Sequence, residues 1–181
     1  MGELTVTEGQ ASDSETTPKQ MLSRFYSLQE ERVQTYQLFE EGFQAYLKGA
    51  PNYNFPLFRR LVHEITETFN KISVDILLIK KKFSEQNNLL GIADVIGKIQ
   101  DIEKTKIELV AKLQLVRQRQ IDEPSETVES ENETVKTRLK EVRDQLVDLM
   151  EELKYESEDL YVGESNHEVT ESPDSRNEVE R

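Results

Sequence analysis

The sequence has no cysteine and no tryptophan, and only two of its 181 residues are histidine. The absence of cysteine excludes disulfide bonds, thiolate metal clusters and catalysis by a thiol. No stretch approaches the roughly 20 apolar residues of a membrane-spanning helix, and the first residues lack the basic and apolar regions of a secretory signal. We therefore expect a nuclear or cytoplasmic protein that is neither secreted nor transmembrane.

Acidic residues are in excess, and the formal net charge is -13. They dominate at both ends of the sequence and in one internal stretch, whereas the rest of the chain is mildly basic. Runs of one charge with few aromatic residues bury too little apolar surface to fold by themselves. We therefore expect disordered acidic termini at residues 1–17 and 161–181, and an acidic, disordered linker at 121–130.

The first predicted helix begins after Thr17, because a threonine N-cap, Pro18 at the first helical position and Gln20 form a capping-box pattern. It should end near Lys48, before a loop rich in proline and asparagine that reverses the chain. Its apolar face is interrupted near Gln29 and Arg32. The apolar positions of this helix are Leu22, Phe25, Leu28, Tyr36, Phe39, Phe43 and Leu47.

The second helix, predicted from about Pro56 to Glu85, carries the most regular pattern in the chain. Its apolar residues alternate at spacings of four and three, which is typical of a coiled-coil seam. These residues are Phe58, Val62, Ile65, Phe69, Ile72, Ile76, Ile79 and Phe83.

Two further helices show the same spacing. The third is predicted from about Leu89 to Gln120, with apolar residues at Ile92, Val95, Ile99, Ile102, Leu109, Leu113 and Val116. Its seam is interrupted only by Lys106, which is interpreted as a register device or a side chain whose stem packs on the seam. The fourth is predicted at residues 131–160, because Ser130 and Glu133 form a second capping box. Its apolar residues are Val135, Leu139, Val142, Leu146, Leu149 and Leu153.

These patterns predict an all-α protein: an elongated antiparallel helical hairpin or coiled-coil bundle of three to four long helices. Residues 18–120 form its three-helix part, because helices of about 30 residues, or about 45 Å, can lie side by side. The pattern leaves open whether the fourth helix packs within the chain or on another chain. Protein partners, including a second copy of this chain, are expected to bind through these seams.

No pattern in the sequence predicts a catalytic, metal-binding or cofactor-binding site. His63-Glu64 resembles half of a zinc-protease motif, but the position of the second histidine is occupied by Glu67. The glycines at 91 and 97 are spaced incorrectly for a phosphate-binding loop and fall within a helix. We therefore expect a protein that is not an enzyme and that holds no cofactor.

Direct contact with nucleic acid is an alternative with less support. The basic clusters are 59–60, 80–82 and Arg117 with Arg119. They are spread over three long helices, whereas affinity for nucleic acid rises with the number of phosphates neutralised at one surface. The simpler interpretation of these basic clusters is an exposed bundle surface with ion pairs between successive helical turns.

Four segments together resemble the required-for-excision 1-B domain family: residues 28–32, 38–47, 51–56 and 62–66. The likeness covers about residues 20–120. It implies a small helical protein associated with DNA repair and without an established catalytic activity. The acidic ends and the fourth helix match this family less clearly.

We therefore predict a non-enzymatic adaptor or accessory protein, associated with DNA excision repair by this resemblance. The alternative is a structural coiled-coil subunit of a larger cytoskeletal or scaffold complex. Rigid aromatic side chains next to arginines are typical binding anchors, and they indicate a partner-binding site around the loop. A loop that only plugs the end of the bundle is the competing interpretation. The candidate residues are Tyr53, Phe55, Pro56, Phe58, Arg59, Arg60 and His63.

Overall fold

The computed structural model describes residues 16–162, which contain helices and no strand. The all-α prediction is therefore confirmed. The first three long helices have bounds close to those predicted, whereas the fourth begins and ends earlier than predicted. The four long helices are α1 (Pro18–Leu47), α2 (Phe55–Ser84), α3 (Leu90–Asp122) and α4 (Glu126–Glu156); a short 3-10 helix (Asn87–Leu89) precedes α3, and a short helix α5 (Asp159–Val162) follows α4.

The predicted disorder of the two ends concerns residues that lie almost entirely outside the described range. At the first end, Thr17 belongs to the fold as the N-cap of α1, where its hydroxyl accepts a hydrogen bond from the amide of Gln20. At the second end, Tyr161 and Val162 belong to α5. The folded part therefore includes Thr17 at one end and Tyr161 and Val162 at the other, although the prediction assigned all three to the disordered ends.

Successive helices run antiparallel to each other. Tyr36 in the second half of α1 meets Phe69 in the middle of α2, and Phe43 near the end of α1 meets Phe58 near the start of α2. In the same way, Lys98 near the start of α3 binds Glu152 near the end of α4. Each helix therefore packs on its neighbour in the chain, as short connections between helices favour.

All four long helices contribute to one buried core at the end of the bundle where α1 begins. Phe25, Ile76, Ile96 and Leu153, one from each helix, are completely or almost completely buried there. Burial of each such side chain contributes about 1.5–3 kcal/mol before conformational entropy is subtracted. This shared core stabilises α4 against the other three helices within the same chain.

The apolar face of α3 is wider than the predicted seam. Besides the predicted positions, Ala93 and Ile96 are buried. The reason is that α3 packs on α2 with one side and on α4 with another, so it needs two adjoining apolar strips. None of the helices in residues 16–162 combines the length and the apolarity needed to cross a membrane.

The prediction of an acidic linker at 121–130 and a fourth helix at 131–160 was wrong at both boundaries. Helix α4 begins at Glu126, where the Ser125 side chain accepts a hydrogen bond from the amide of Val128 at 3.3 Å. Val128 is buried and extends the apolar spacing by one repeat. Acidic residues in a first turn are stabilised by the helix dipole, so the acids here favour a helix start instead of disorder.

The connection between α3 and α4 is correspondingly short. Helix α3 continues to Asp122 and stops there, because Pro124 disfavours helical geometry at the preceding residue. At the other end, α4 stops at Glu156, and residues 157–158 form a turn before α5.

Candidate partner-binding site

An aromatic cluster closes the end of the bundle where α1 connects to α2. The ring of Tyr46 in α1 stacks on Tyr53 of the loop, with centroids 4.8 Å apart, and on Phe58 of α2, with centroids 4.3 Å apart. Phe43 joins the cluster at 5.9 Å from Phe58. Aromatic pairs at such distances stabilise a fold beyond their area of burial. Tyr53 and Phe58 therefore serve packing.

Polar contacts extend this cluster onto α3. The hydroxyl of Tyr53 donates a hydrogen bond to Asp122 Oδ1 at 2.5 Å. The guanidinium of Arg117 lies 4.9 Å from the centre of the Phe43 ring and donates to the carboxylate of Glu40 at 2.8 and 3.1 Å. The loop is thus held by the last turns of α3 as well as by α1 and α2.

The other predicted site residues lie at the surface. Phe55 is 58% exposed, and Pro56, Arg59, Arg60 and His63 are also exposed. The structure therefore divides the predicted site into an inward-facing part, Tyr53 and Phe58, and an outward-facing part. The outward-facing residues lie along the start of α2.

A buried polar layer interrupts the apolar packing halfway along the bundle. Arg32 of α1 is only 4% exposed. Its guanidinium donates to Gln29 Oε1 at 2.6 Å, to Gln100 Oε1 at 2.9 Å and to Ser73 Oγ at 3.2 Å. Burial lowers the pKa of Arg32, an effect that the nearby carboxylate of Glu103 opposes. The layer links α1 to both α2 and α3.

Glu103 of α3 lies beside this layer, and one of its two carboxylate oxygens accepts a hydrogen bond from it. It is 8% exposed, and its Oε1 accepts a hydrogen bond from Gln29 at 3.4 Å. Its Oε2 is buried and has no hydrogen-bond partner in the described part of the chain. A buried acceptor without a partner is costly, and such groups are uncommon in folded proteins.

Lys106, one helical turn further along α3, is half-buried and lies 4.2 Å from the centre of the Tyr36 ring. Burial lowers the pKa of this lysine; Glu103 opposes the shift, whereas the positive charges of Arg143 and Arg32 reinforce it. Burial, together with the Glu103 carboxylate, raises the pKa of Tyr36. Three cations and one carboxylate are thus close together at this level of the bundle.

A groove of about 1630 Å³ opens next to these groups, between α1 and α4. Helix α3 forms its floor through Glu103 and Lys106. The walls are largely apolar, and several wall residues are exposed or only half-buried. The wall residues include Tyr26 and Val33 of α1, Arg143, Val147, Met150 and Tyr155 of α4, and Tyr161 of α5.

Sequence patterns did not reveal this groove, although a signal for its position was present. The apolar face of α1 is interrupted at Gln29 and Arg32, and the seam of α3 is interrupted at Lys106. The structure places Gln29 and Lys106 in the lining of one groove, with Arg32 buried beside Gln29. Polar residues that interrupt the apolar faces of two helices at the same height of the bundle would have indicated where the core is no longer purely apolar.

The histidine and glycine motifs noted in the sequence do not form a metal site or a phosphate-binding loop within residues 16–162. Among residues 16–162, no group of three or more histidine, aspartate or glutamate side chains is placed to hold a metal ion. Gly91 and Gly97 both lie within α3, away from any strand-to-helix turn.

The family described as DNA repair REX1-B matches residues 20–117, which is more than half of the chain. The chain belongs to the DNA repair REX1-B family. The matched residues include nearly all of α1, all of α2 and most of α3. Helix α4 and its wall of the groove lie outside the matched residues of this REX1-B chain.

Two curated relatives carry the name "Required for excision 1-B domain-containing protein". The cattle protein is 33% identical over 98 residues, covering 54% of this chain and 54% of the relative. The mouse protein is 28% identical over 96 residues, covering 53% of this chain and 57% of the relative. The chain therefore spans about half the length of the curated relatives it matches. No solved structure matches it.

Proposed function

We propose that this chain is a non-enzymatic helical adaptor that takes part in DNA excision repair and binds a protein partner in the groove between α1 and α4. The repair association and the adaptor role are supported by different observations. Membership of a family described as DNA repair REX1-B supports the repair association, as do the names of the cattle and mouse relatives. The groove supports the adaptor role.

The groove is the observation on which the adaptor role depends. Val33, Val147 and Tyr155 present large apolar side chains to solvent along its two walls. Contiguous exposed apolar surface of this kind marks interaction sites in folded proteins. The aromatic side chains, methionine and arginine among its lining residues match the composition of protein interfaces.

The test uses cells that encode this protein, from which it has been deleted and restored as variants. Val147→Glu places a charge on the groove wall without entering the core, because Val147 is 58% exposed. We expect this variant to fold, with an unchanged melting temperature, and to slow the removal of ultraviolet photoproducts from genomic DNA. Leu38→Glu, at an equally exposed position outside the groove, is the control and should restore repair fully. Full repair by Val147→Glu would contradict the proposal.

A structural subunit of a larger assembly is the second candidate, and a surface of α2 favours it. Val74, Leu77 and Leu78 are exposed and share one face of α2, because residues three and four apart are neighbours on a helix. A scaffold role predicts that the purified chain associates as its concentration rises and that Val74→Glu prevents this association. Sedimentation of a monomer at all concentrations, with repair lost through Val147→Glu, favours the adaptor instead.

A further inference from the structure

The two ends of the groove differ in charge. At one end, Val147 and Arg143 of α4 face Val33 of α1 above the floor residue Lys106. At the other end the walls carry the aromatic rings of Tyr26, Tyr155 and Tyr161 and the side chain of Met150, and the charged residues Glu151, Lys154 and Glu158 also line this end. Glu30 of α1 lines the groove between the two ends. The antiparallel course of α1 and α4 produces this arrangement. An occupant would therefore meet the cations Lys106 and Arg143 at one end, and aromatic rings with an excess of acidic residues at the other.

Within residues 16–162, the cations at the first end have no carboxylate within ion-pair distance. Among the described residues, neither Lys106 nor Arg143 forms a salt bridge, whereas Lys98 and Arg117 on the same helix α3 both do. Lys106 is half-buried, so its charge is poorly solvated. The nearby Glu103 gives incomplete compensation, because Arg32 lies beside the same carboxylate.

The length of the groove suits one helix. Its lining on α4 runs from Arg143 to Tyr155, and an α-helix rises 1.5 Å per residue, so the groove is about 18 Å long. A helix that lies between α1 and α4 would complete the bundle and cover the exposed apolar walls, in the manner of helix-in-groove recognition.

We propose, as an extension of the proposed adaptor function, that the groove binds an amphipathic helix of a partner protein that carries an acidic side chain at one end of its apolar face. The acidic side chain lies over Lys106 and Arg143, and apolar side chains two to three turns away contact Met150 and the tyrosines. The carboxylate forms charge-assisted hydrogen bonds with the two cations, and these fix the direction in which the helix lies.

The first part of the test is a selection with a displayed library of helix-forming peptides of about 18 residues, long enough to span the groove. The library varies apolar and charged residues over one face and is selected on the full-length chain. We expect enrichment of aspartate or glutamate at one end of an otherwise apolar face. Binding of the selected peptides should be lost with Val147→Glu and kept with Val74→Glu, a position on α2 with a matching exposure of 57%.

The second part isolates the charge. Replacing the acidic residue of a selected peptide by glutamine should weaken binding by about tenfold, and this effect should disappear in the double variant Lys106→Met with Arg143→Met. Circular dichroism of the variants should be unchanged, because Arg143 is exposed and the unbranched side chain of methionine can occupy the space of the half-buried Lys106. The proposal would be overturned if the change from the acidic residue to glutamine weakened peptide binding equally in the wild type and in the double variant.

Several other results would also overturn it. These are enrichment of basic or purely apolar faces, no enrichment of any peptide, or peptide binding that is unaffected by Val147→Glu. Self-association of the chain that Val147→Glu abolishes would make a second copy the occupant, and binding that requires deletion of residues 163–181 would make the chain's own acidic end the occupant. If the acidic preference fails while Val147→Glu still blocks repair, the adaptor function stands and this inference alone fails.

Discussion

The hydroxyl of Tyr53 donates a 2.5 Å hydrogen bond to Asp122, and this contact ties the loop between α1 and α2 to the last turn of α3. Sixty-nine residues separate the two in sequence. Since Asp122 is followed closely by the turn into α4, the same contact fixes the end from which α4 starts.

This contact predicts a pH dependence of stability. The hydrogen bond to Asp122 is the main cause that raises the pKa of Tyr53 to about 12, above the ordinary value of about 10. A raised pKa in the folded state means that the contribution is fully present below about pH 10 and is lost as the pH rises through about 12. Urea unfolding across this range should show the loss in wild type and a smaller one in Tyr53→Phe. Tyr155→Phe, at an exposed position, is the control.

Asp122→Asn checks the cause. It removes the carboxylate charge but keeps an oxygen that can accept the hydrogen bond, so the pKa of Tyr53 should fall toward the ordinary value. Titration of the ring carbon of labelled tyrosine by NMR measures this directly. An unchanged pKa in Asp122→Asn would contradict the role given to the carboxylate.

Arg32 predicts a large effect of a single polar substitution. Arg32→Ala should destabilise the protein by about 3–5 kcal/mol, because Gln29, Ser73 and Gln100 lose their donor inside the bundle and Glu103 loses a neighbouring cation. The measurement is the free energy of unfolding in urea. The control is Arg24→Ala, whose side chain is half-exposed and whose ion pairs are at the surface. Similar losses of unfolding free energy in the two variants would show that the polar layer contributes no more to stability than a surface ion pair.

The start of α4 is tested by a pair of serines. Ser125→Ala removes the side chain that accepts from the amide of Val128, and it should cost about 1 kcal/mol. Ser130→Ala lies within the second turn of α4 and should change stability by less than about 0.5 kcal/mol. Thermal unfolding of the two variants distinguishes them. A larger loss in Ser130→Ala would restore the boundary that the sequence pattern predicted.

Two helical glycines predict opposite outcomes. A Cβ at Gly97 would lie 2.9 Å from Nζ and 3.1 Å from Cε of Lys80, the flexible end of a side chain that can move aside. Gly97→Ala should therefore stabilise the protein by up to about 1 kcal/mol through helix propensity. A Cβ at Gly42 would overlap the branched end of the half-buried Leu61, so Gly42→Ala should lower the melting temperature. Equal shifts in both variants would contradict the role of Leu61.

The capping and spacing of residues predicted α1, α2 and α3 closely, but the same reasoning failed at the start of α4. Thr17 acts as the cap that its sequence context indicates, and the predicted seam residues Ile72, Ile76, Ile79 and Phe83 of α2 are all buried. At residues 121–130, the excess of acid was given more weight than Val128, which continues the apolar repeat. The dipole of a helix start favours those acids, and this effect depends on where the helix begins.

The candidate site was predicted less well than the fold. Tyr53 and Phe58 pack inward, whereas Phe55 and Arg59 face solvent, although all four belong to one short stretch. A list of aromatic and basic residues does not give the direction of each side chain. That direction depends on the angle at which α2 leaves the loop and on the position of α3, which supplies Asp122.

The amino-acid sequence alone specified four long helices, because a helix makes its hydrogen bonds within one segment and its apolar face repeats every 3.6 residues. It did not specify which faces meet, because apolar burial has no direction and any seam can cover any other. Only the packing of the helices set Arg32 beside Gln100, buried the Glu103 carboxylate and opened a groove between α1 and α4.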